Sequence, residues 1–196
     1  MVPRLLVITG TSGVGKTTLT GELAAALGFG KIASTDTIRE VLRSQFDSED
    51  VPALHRSSFE PAGGDAVTDW RETVGVVSQG VEAVIQRAQR KEVDLIIEGV
   101  HYVPGSGAIE GWRSNGFVAC GVVLHVSDED LHKQMIASRE NHNDKLADHY
   151  LSNFSRIRKI QSEMLVNAKN AGWIAMDITD DVPTTDLIAE SLENDL

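Results

Sequence analysis

Cysteine, basic residues and aromatic residues are all scarce in this sequence. The single cysteine, Cys120, excludes a disulfide within the chain, and its apolar surroundings (FVACGVVLHV) favour a buried structural thiol over a nucleophile. There are 18 basic residues against 29 acidic ones, and the resulting net charge of −11 argues against a nucleic-acid partner. A small anionic metabolite stays compatible with this charge, because a few clustered arginines can reverse the field inside a cleft.

Long hydrophobic runs are also missing. The N-terminal run LLVI has four residues and passes directly into a glycine-rich turn, so it indicates a strand and neither a signal peptide nor a membrane span. We therefore expect a cytoplasmic protein without a membrane partner. A length of 196 residues fits one compact domain over residues 1–196.

Strand-like and helix-like segments alternate along the chain. The mainly apolar segments at residues 4–9 and 93–97 lack polar alternation and predict strands buried on both faces, and KTTLTGELAAAL has the periodicity of a helix. Such alternation predicts a three-layer α/β fold with a parallel sheet of about five strands. A polar stretch with prolines and glycines predicts a long excursion within residues 36–73. LADHYLSNFSRIRKIQSEMLVNAKNAG predicts one long helix.

The strongest motif is GTSGVGKT, which fits G-x-x-x-x-G-K-[ST] between a predicted strand and a predicted helix. Glycines let backbone amides approach a phosphate closely, and the helix N-terminus adds partial positive charge. Lys16 can reach the β- and γ-phosphates, and the Thr17 hydroxyl can ligate Mg²⁺. The motif thus predicts a P-loop that binds ATP and Mg²⁺. The expected ATP-binding residues are Gly10, Thr11, Ser12, Gly13, Val14, Gly15, Lys16, Thr17 and Thr18.

The segment STDTIREVLR follows the second predicted strand and opens a helix. Asp36 could simply complement the positive end of that helix. Beside a P-loop, a carboxylate here could instead orient or deprotonate the acceptor hydroxyl, or hold Mg²⁺ through water. Arg39 lies one turn further on the same helix face and could bind an anionic group of the acceptor.

DLIIEGVHYVPG supplies two further candidates at the carboxyl end of a predicted buried strand, where ligands bind in open α/β sheets. Glu98 could hold Mg²⁺ through water or contact the acceptor, or it could be an ordinary residue at a strand end. His101 is either an acceptor contact or a plain loop histidine.

Phosphoryl transfer also requires cations that close over the developing charge. We expect a lid near residues 127–145, with Arg139 as its catalytic cation and Arg158 in the following helix as an acceptor contact. A solvated helix face is the alternative for each of these arginines.

These residues together resemble the archaeal 2-phosphoglycerate kinase family of small P-loop kinases. The resemblance runs over nearly the whole chain and rests on GTSGVGKT, STDTIREVLR, LHRSSFE, IIEGVHYVPG and HYLSNFSRIRKIQ. It implies a P-loop kinase fold and ATP-dependent phosphorylation of the free hydroxyl of 2-phosphoglycerate, which gives 2,3-bisphosphoglycerate.

The resemblance also gives the excursion a role, because His55, Arg56 and Ser57 of LHRSSFE carry donors suited to phosphate or carboxylate. In the implied mechanism, Lys16, Asp36 and Arg139 carry an in-line transfer of the γ-phosphoryl group. Two alternatives stay open at this point. One is a kinase for another phosphorylated acid, such as a mevalonate phosphate, and the other is a non-metabolic ATP-dependent switch.

Overall fold

A computed structural model describes residues 2–139, 144–180 and 183–194. Its five strands are all parallel and lie in the order β2-β3-β1-β4-β5. The strands are β1 (Arg4–Gly10), β2 (Ile32–Ser34), β3 (Leu95–Glu98), β4 (Val118–His125) and β5 (Ile174–Asp177).

Helices connect these strands. They are α1 (Lys16–Leu27), α2 (Thr35–Arg43), α3 (Ala66–Arg90), α4 (Ala108–Arg113), α5 (Glu129–Arg139), α6 (Asp144–Ser152), α7 (Phe154–Ala171) and α8 (Thr184–Glu193). A short 3₁₀ turn (Pro52–Leu54) lies in the excursion between α2 and α3. No helix in the described ranges combines the length and apolarity that a membrane crossing needs.

The central strand β1 shows why the sheet is covered on both faces. Its side chains alternate, so Leu5 and Val7 join the core under α3, α4 and α7, while Leu6 and Ile8 join the core under α1 and α8. The predicted three-layer fold with a five-stranded parallel sheet is thus confirmed.

This topology brings the functional candidates to one edge. β1 lies between β3 and β4, with Ile8 beside Glu98 and Gly10 beside Leu124. The carboxyl ends of these parallel strands therefore meet at the edge where the P-loop begins, which is where open α/β sheets bind ligands.

The helices differ from the sequence prediction in two respects. The long helix predicted from residue 146 is two helices, α6 and α7, because the Asn153 amide bonds to the carbonyl of Tyr150 in a tighter turn and its side chain donates to the carbonyl of His149. The six-residue α4 was not predicted, since it is too short for a periodic signal. α3 begins at Ala66, because the Asp65 carboxylate accepts hydrogen bonds from the first-turn amides.

Candidate active site

The P-loop forms a cradle between β1 and α1. Gly13 has a φ of 86°, and a β-carbon there would lie 2.5 Å from Cγ1 of Ile136. A β-carbon at Gly10 would lie 2.5 Å from the carbonyl oxygen of Leu124. Neither position has room for a side chain, so the loop's close packing needs glycine at both.

The cradle fits a nucleotide phosphate with Mg²⁺. Lys16 lies at the start of α1 and its Nζ donates to the carbonyl of Thr11, 2.8 Å away, so the ammonium group is held over the loop. Thr17 is exposed in the first turn of α1, and Asp36 and Glu98 add carboxylates from neighbouring elements. Hydroxyl and carboxylate oxygens are the donors that Mg²⁺ prefers.

Asp36 lies in the first turn of α2 and pairs with His101. Nδ1 of the buried His101 ring is 3.2 Å from Oδ1 of Asp36, whose side chain is 64% exposed. The hydrogen bond from His101, helped by the positive charges of Lys16 and Arg39, holds the pKa of Asp36 below its usual value despite partial burial. Asp36 is therefore a reachable carboxylate that stays ionised.

The segment after β3 carries His101 and is fixed by buried hydrogen bonds. The indole of Trp70 donates to the carbonyl of Val100 at 2.9 Å, and the Thr9 hydroxyl donates to the carbonyl of Tyr102 at 3.3 Å. The Thr35 hydroxyl lies 3.4 Å from both the ring Nδ1 and the backbone amide of His101. The His101 ring is consequently held in place before any ligand binds.

Arg39 lies one turn after Asp36 and is mostly buried. Its Nη2 donates to the carbonyl of Arg56 at 2.7 Å, and its Nε has no hydrogen-bond partner within the described part of the chain. Burial, together with the nearby charge of Arg43, lowers the pKa of Arg39, but a guanidinium stays protonated at physiological pH. A fixed positive charge near Asp36 suits an anionic group.

Glu98 is the last residue of β3 and is 7% exposed. The following amide, that of Gly99, donates to the carbonyl of Ile8 at 3.0 Å and ties this strand end to β1. Glu98 thus lies at the sheet edge where β1 passes into the P-loop. This is the position expected for a carboxylate that supports a metal through water.

Other candidates of the excursion make contacts within the protein. Arg56 forms an ion pair with Glu72 at 2.6 Å and donates to the carbonyl of Asp69. Nε2 of His55 lies 2.9 Å from the carbonyl of Phe46, and the Ser57 amide donates to Glu60. The structure therefore groups Asp36, Arg39, Glu98 and His101 at the sheet edge. The contacts of His55, Arg56 and Ser57 instead hold the excursion in place.

The candidates of the lid region are spread over two helices. Arg139 ends α5, and its side chain lies outside the described residues, as does the stretch 140–143. Arg158 in α7 donates to the carbonyls of Val126 and Ser127, at 2.5 and 3.0 Å, and so fixes the segment that leads into α5.

Two further side chains in contact with the excursion or the P-loop were not predicted from the sequence. The carboxylate of Asp69 in α3 is 1% exposed and binds Arg156 of α7 at 2.5 Å. It also accepts hydrogen bonds from two amides of the excursion, so it joins the excursion to α3 and α7. The buried His132 of α5 lies 2.8 Å from the carbonyl of Ser12 in the P-loop. His132 precedes Ile136 by four residues, so helical spacing alone could have placed it on the inner face of α5.

A separate cavity of about 400 Å³ lies between α3, α4 and the segment after β3. His101 is one of its lining residues, but the P-loop, Asp36 and Arg39 are not. The phosphate cradle and this cavity are therefore different features of the surface.

Comparisons with known proteins agree with the resemblance seen in the sequence. The chain is 35% identical over 176 residues to a 2-phosphoglycerate kinase of Pyrococcus horikoshii, covering 86% of this chain and 57% of that protein. It is also 35% identical over 202 residues to a 2-phosphoglycerate kinase of Methanothermobacter thermautotrophicus, covering 97% and 65%. The chain spans less than two thirds of the length of these relatives.

Solved structures share the fold at low sequence identity. A gluconokinase from Sinorhizobium meliloti matches with a TM-score of 0.52 and 17% identity, covering 99% of this chain and 92% of that one. A shikimate kinase from Acinetobacter baumannii in complex with shikimate matches with a TM-score of 0.54 and 15% identity, covering 99% and 93%. The predicted P-loop kinase fold is thereby confirmed.

A family model described as an AAA domain matches residues 6–163. The match extends from β1 into α7, so it includes the P-loop, the sheet edge with Asp36 and Glu98, and the excursion. With this match over most of its length, the chain belongs to the AAA-domain family.

Proposed function

We propose that the protein is an ATP- and Mg²⁺-dependent small-molecule kinase that phosphorylates the free hydroxyl of 2-phosphoglycerate and forms 2,3-bisphosphoglycerate. The proposal rests on the curated relatives named 2-phosphoglycerate kinase and on the arrangement of charges beside the P-loop. The chain spans 57% of the length of the first of these relatives and 65% of the second.

The observation that carries the proposal is an exposed carboxylate, Asp36, that is hydrogen-bonded by His101 and lies near two cations. Lys16 of the P-loop and Arg39 of α2 both lower the pKa of Asp36, after the larger effect of its hydrogen bond with His101. An exposed, ionised carboxylate near a phosphate-binding lysine and a fixed arginine suits a hydroxyl acceptor that also carries negative charge.

Each part of the nucleotide cradle has a role in this proposal. The amides and glycines of residues 10–18 would hold the phosphates of ATP, and Lys16 would neutralise charge on them. Thr17 would bind Mg²⁺ directly, while Asp36 or Glu98 would hold it through water. When bound, Mg²⁺ supplies charge neutralisation on the transferred phosphoryl group.

In the transfer itself, the acceptor oxygen forms a bond to the γ-phosphorus as the bond between that phosphorus and the ADP oxygen breaks. The acceptor hydroxyl, which donates a hydrogen bond to Asp36, releases its proton to solvent, and ADP leaves with the bridging oxygen. The lowered pKa of Asp36 makes this carboxylate a weak base, so its main contribution is to orient the hydroxyl. Arg39 would bind the acceptor's phosphate or carboxylate, and Arg139 of the proposed lid would stabilise the transferred group.

The acceptor region would be completed by the excursion. Arg56, His55 and Ser57 would act mainly by holding its backbone, which keeps the carbonyl of Arg56 against Arg39. Arg158 would act in the same way on the segment before α5. His101 would hold Asp36 in its ionised, oriented state.

We expect Asp36→Asn to lower kcat about 30-fold while leaving the KM for ATP within about threefold, since orientation of one hydroxyl is worth about 10- to 100-fold when the transition state is loose. Steady-state kinetics with varied ATP and varied acceptor measure both values. Asp47→Asn is the matched control, because Asp47 is an exposed acid of the excursion. An unchanged kcat in Asp36→Asn contradicts the assigned role.

The pH dependence gives a second test of Asp36. Because its folded pKa lies below the usual value near 4, Asp36 stays ionised as the pH falls to about 4. We therefore expect kcat to show no loss from this carboxylate between about pH 5 and 8. An acid limb near pH 6 that disappears in Asp36→Asn would mean that the carboxylate titrates there and acts as a tuned base.

The direct test of the acceptor is ADP release with ATP and Mg²⁺ against a panel of hydroxyl compounds. The panel contains 2-phosphoglycerate, 3-phosphoglycerate, glycerate, gluconate, mevalonate phosphates and nucleoside monophosphates. We expect strong stimulation by 2-phosphoglycerate alone. Stimulation by another compound replaces the substrate, and ATP binding without stimulation by any acceptor contradicts a small-molecule kinase.

A further inference from the structure

His132 makes a buried contact with the P-loop that the phosphoryl-transfer roles above do not use. The residue lies in α5 with none of its surface exposed, and its Nε2 is 2.8 Å from the carbonyl oxygen of Ser12. A carbonyl can only accept, so Nε2 carries the proton and donates. Nδ1 of the same ring has no hydrogen-bond partner within the described part of the chain, which fits the neutral ring with its proton on Nε2.

The surroundings favour this neutral form. Burial lowers the pKa of His132 and the positive charges of Arg158 and Lys16 act in the same direction, which outweighs the opposite effect of the Ser12 carbonyl. The ring edge also packs against Phe154, with 5.3 Å between the centroids. His132 is therefore held in one tautomer and one orientation.

The contact fixes the direction of a peptide group in the phosphate cradle. The peptide between Ser12 and Gly13 is trans, so its C=O and N–H point in opposite directions. Because His132 draws the carbonyl towards α5, the amide N–H of Gly13 points away from α5. Successive amides that point to one side make up an anion nest.

Packing shows that α5 closes the other side of the loop. A β-carbon at Gly13 would meet Ile136 at 2.5 Å and the His132 ring at 3.5 Å. A phosphate can consequently reach the Gly13 amide only from the side away from this helix, which is the side that the amide faces.

The helix behind the loop is itself anchored. Arg158 donates to the carbonyls of Val126 and Ser127, and the Ser127 amide donates to the carboxylate of Asp177 at 2.8 Å. α5 begins two residues after Ser127 and ends at Arg139, seven residues beyond His132. One helix within the predicted lid region therefore contacts the P-loop through His132 and ends at Arg139.

We propose that His132 is a positioning residue for nucleotide binding, which orients the Gly13 amide towards the phosphates and couples α5 to the P-loop. This inference rests on the nucleotide site of the proposed function. It concerns binding and not transfer, so it can be tested without any acceptor.

The test compares His132→Leu and His132→Gln by titration calorimetry with ATP and Mg²⁺. Leucine fills much of the space without a donor. We expect the Kd of this variant for ATP to rise about tenfold, because the Gly13 amide would lose much of its hydrogen bond to a charged phosphate. Glutamine can present an amide donor near the position of Nε2, and we expect its Kd to stay within about threefold of the wild type. Ile136→Val is the matched control, because it loosens the packing on Gly13 but keeps the hydrogen bond.

Failure of the positioning role of His132 can be distinguished from failure of the nucleotide site itself. A wild-type Kd in His132→Leu, or equal losses in His132→Leu and His132→Gln, overturns the positioning role. If the wild-type protein binds no ATP, the nucleotide site itself fails. The ring nitrogens in ¹⁵N NMR of the wild type give a test without substitution: a proton on Nε2 supports the role, and a proton on Nδ1 alone overturns it.

Discussion

Lys16→Ala should lower kcat/KM for ATP about 1000-fold, which is the loss expected when a charged donor to a developing transition-state charge is removed. The Lys16 ammonium is held over the P-loop by its bond to the carbonyl of Thr11. In a loose transition state the bond to the acceptor oxygen has hardly formed, so this cation on the phosphates should matter more than the carboxylate that orients the acceptor.

Initial rates of ADP formation at varied ATP measure this effect. Lys31→Ala is the control, because Lys31 is an exposed lysine at the amino end of β2, whereas the P-loop follows the carboxyl end of the parallel strand β1. Thermal melting should show that Lys16→Ala is folded, since the side chain lies at the surface of the cradle. Near-normal turnover in Lys16→Ala would contradict the nucleotide site, and a smaller loss than in Asp36→Asn would contradict the loose transition state.

Asp69→Asn should lower the free energy of unfolding by about 3 kcal/mol, because removing one partner of a buried ion pair leaves the other charge uncompensated. The Asp69 carboxylate accepts hydrogen bonds from Arg156 and from the amides of Ala62 and Gly64. Burial by itself would raise the pKa of Asp69, but these three donors together hold it below its usual value. One carboxylate thus joins α3, α7 and the excursion.

Urea denaturation of the wild type and Asp69→Asn measures the loss. The control is Asp130→Asn, which removes an exposed pair with Lys133 and should change the free energy of unfolding by no more than about 0.5 kcal/mol. Equal losses of the free energy of unfolding in the two variants would show that the buried ion pair contributes no more stability than the exposed pair.

The sign of the pH effect follows from the direction of the pKa shift. Since Asp69 has a lower pKa in the folded than in the unfolded chain, its contribution is fully present above about pH 4 and is lost as the pH falls through the folded pKa. The difference in stability between the wild type and Asp69→Asn should therefore shrink below about pH 4.

The clamp at Asp69 also bears on the acceptor site. Arg156 donates to the carbonyl of Phe59 as well as to Asp69, and Arg56 donates to the carbonyl of Asp69. These contacts hold the excursion whose backbone binds Arg39. Loss of the clamp should therefore raise the KM for the acceptor more than the KM for ATP.

Local sequence signals predicted much of the fold. The helix that begins at Lys16 has the predicted bounds, because a glycine-rich turn precedes it and Gly28 ends it. The parallel sheet followed from unbroken apolar strands alternating with helices. The break at Asn153 could not be predicted, because helical periodicity continues through it and only the hydrogen bonds of the folded chain reveal the tighter turn.

Site residues could be predicted where their position in a local motif, such as a helix start or a strand end, indicates their role. Asp36, Arg39, Glu98 and His101 were named from their positions at helix starts and strand ends, and the structure groups them. Asp69 and His132 were missed because their partners, Arg156 and Ser12, are 87 and 120 residues away in the sequence. Contacts over such separations depend on how the helices pack in the folded chain, and a local sequence pattern does not predict this packing.

The central claim is transfer of the γ-phosphoryl group to the free hydroxyl of 2-phosphoglycerate. The most direct measurement is the fate of γ-labelled phosphate from ATP, followed together with ³¹P NMR of the products. We predict that the label enters a glycerate carrying phosphoesters at both C2 and C3, and that Lys16→Ala lowers the rate of its formation about 1000-fold. Label that appears only as inorganic phosphate, or that remains in ATP while 2-phosphoglycerate is bound, would contradict the claim.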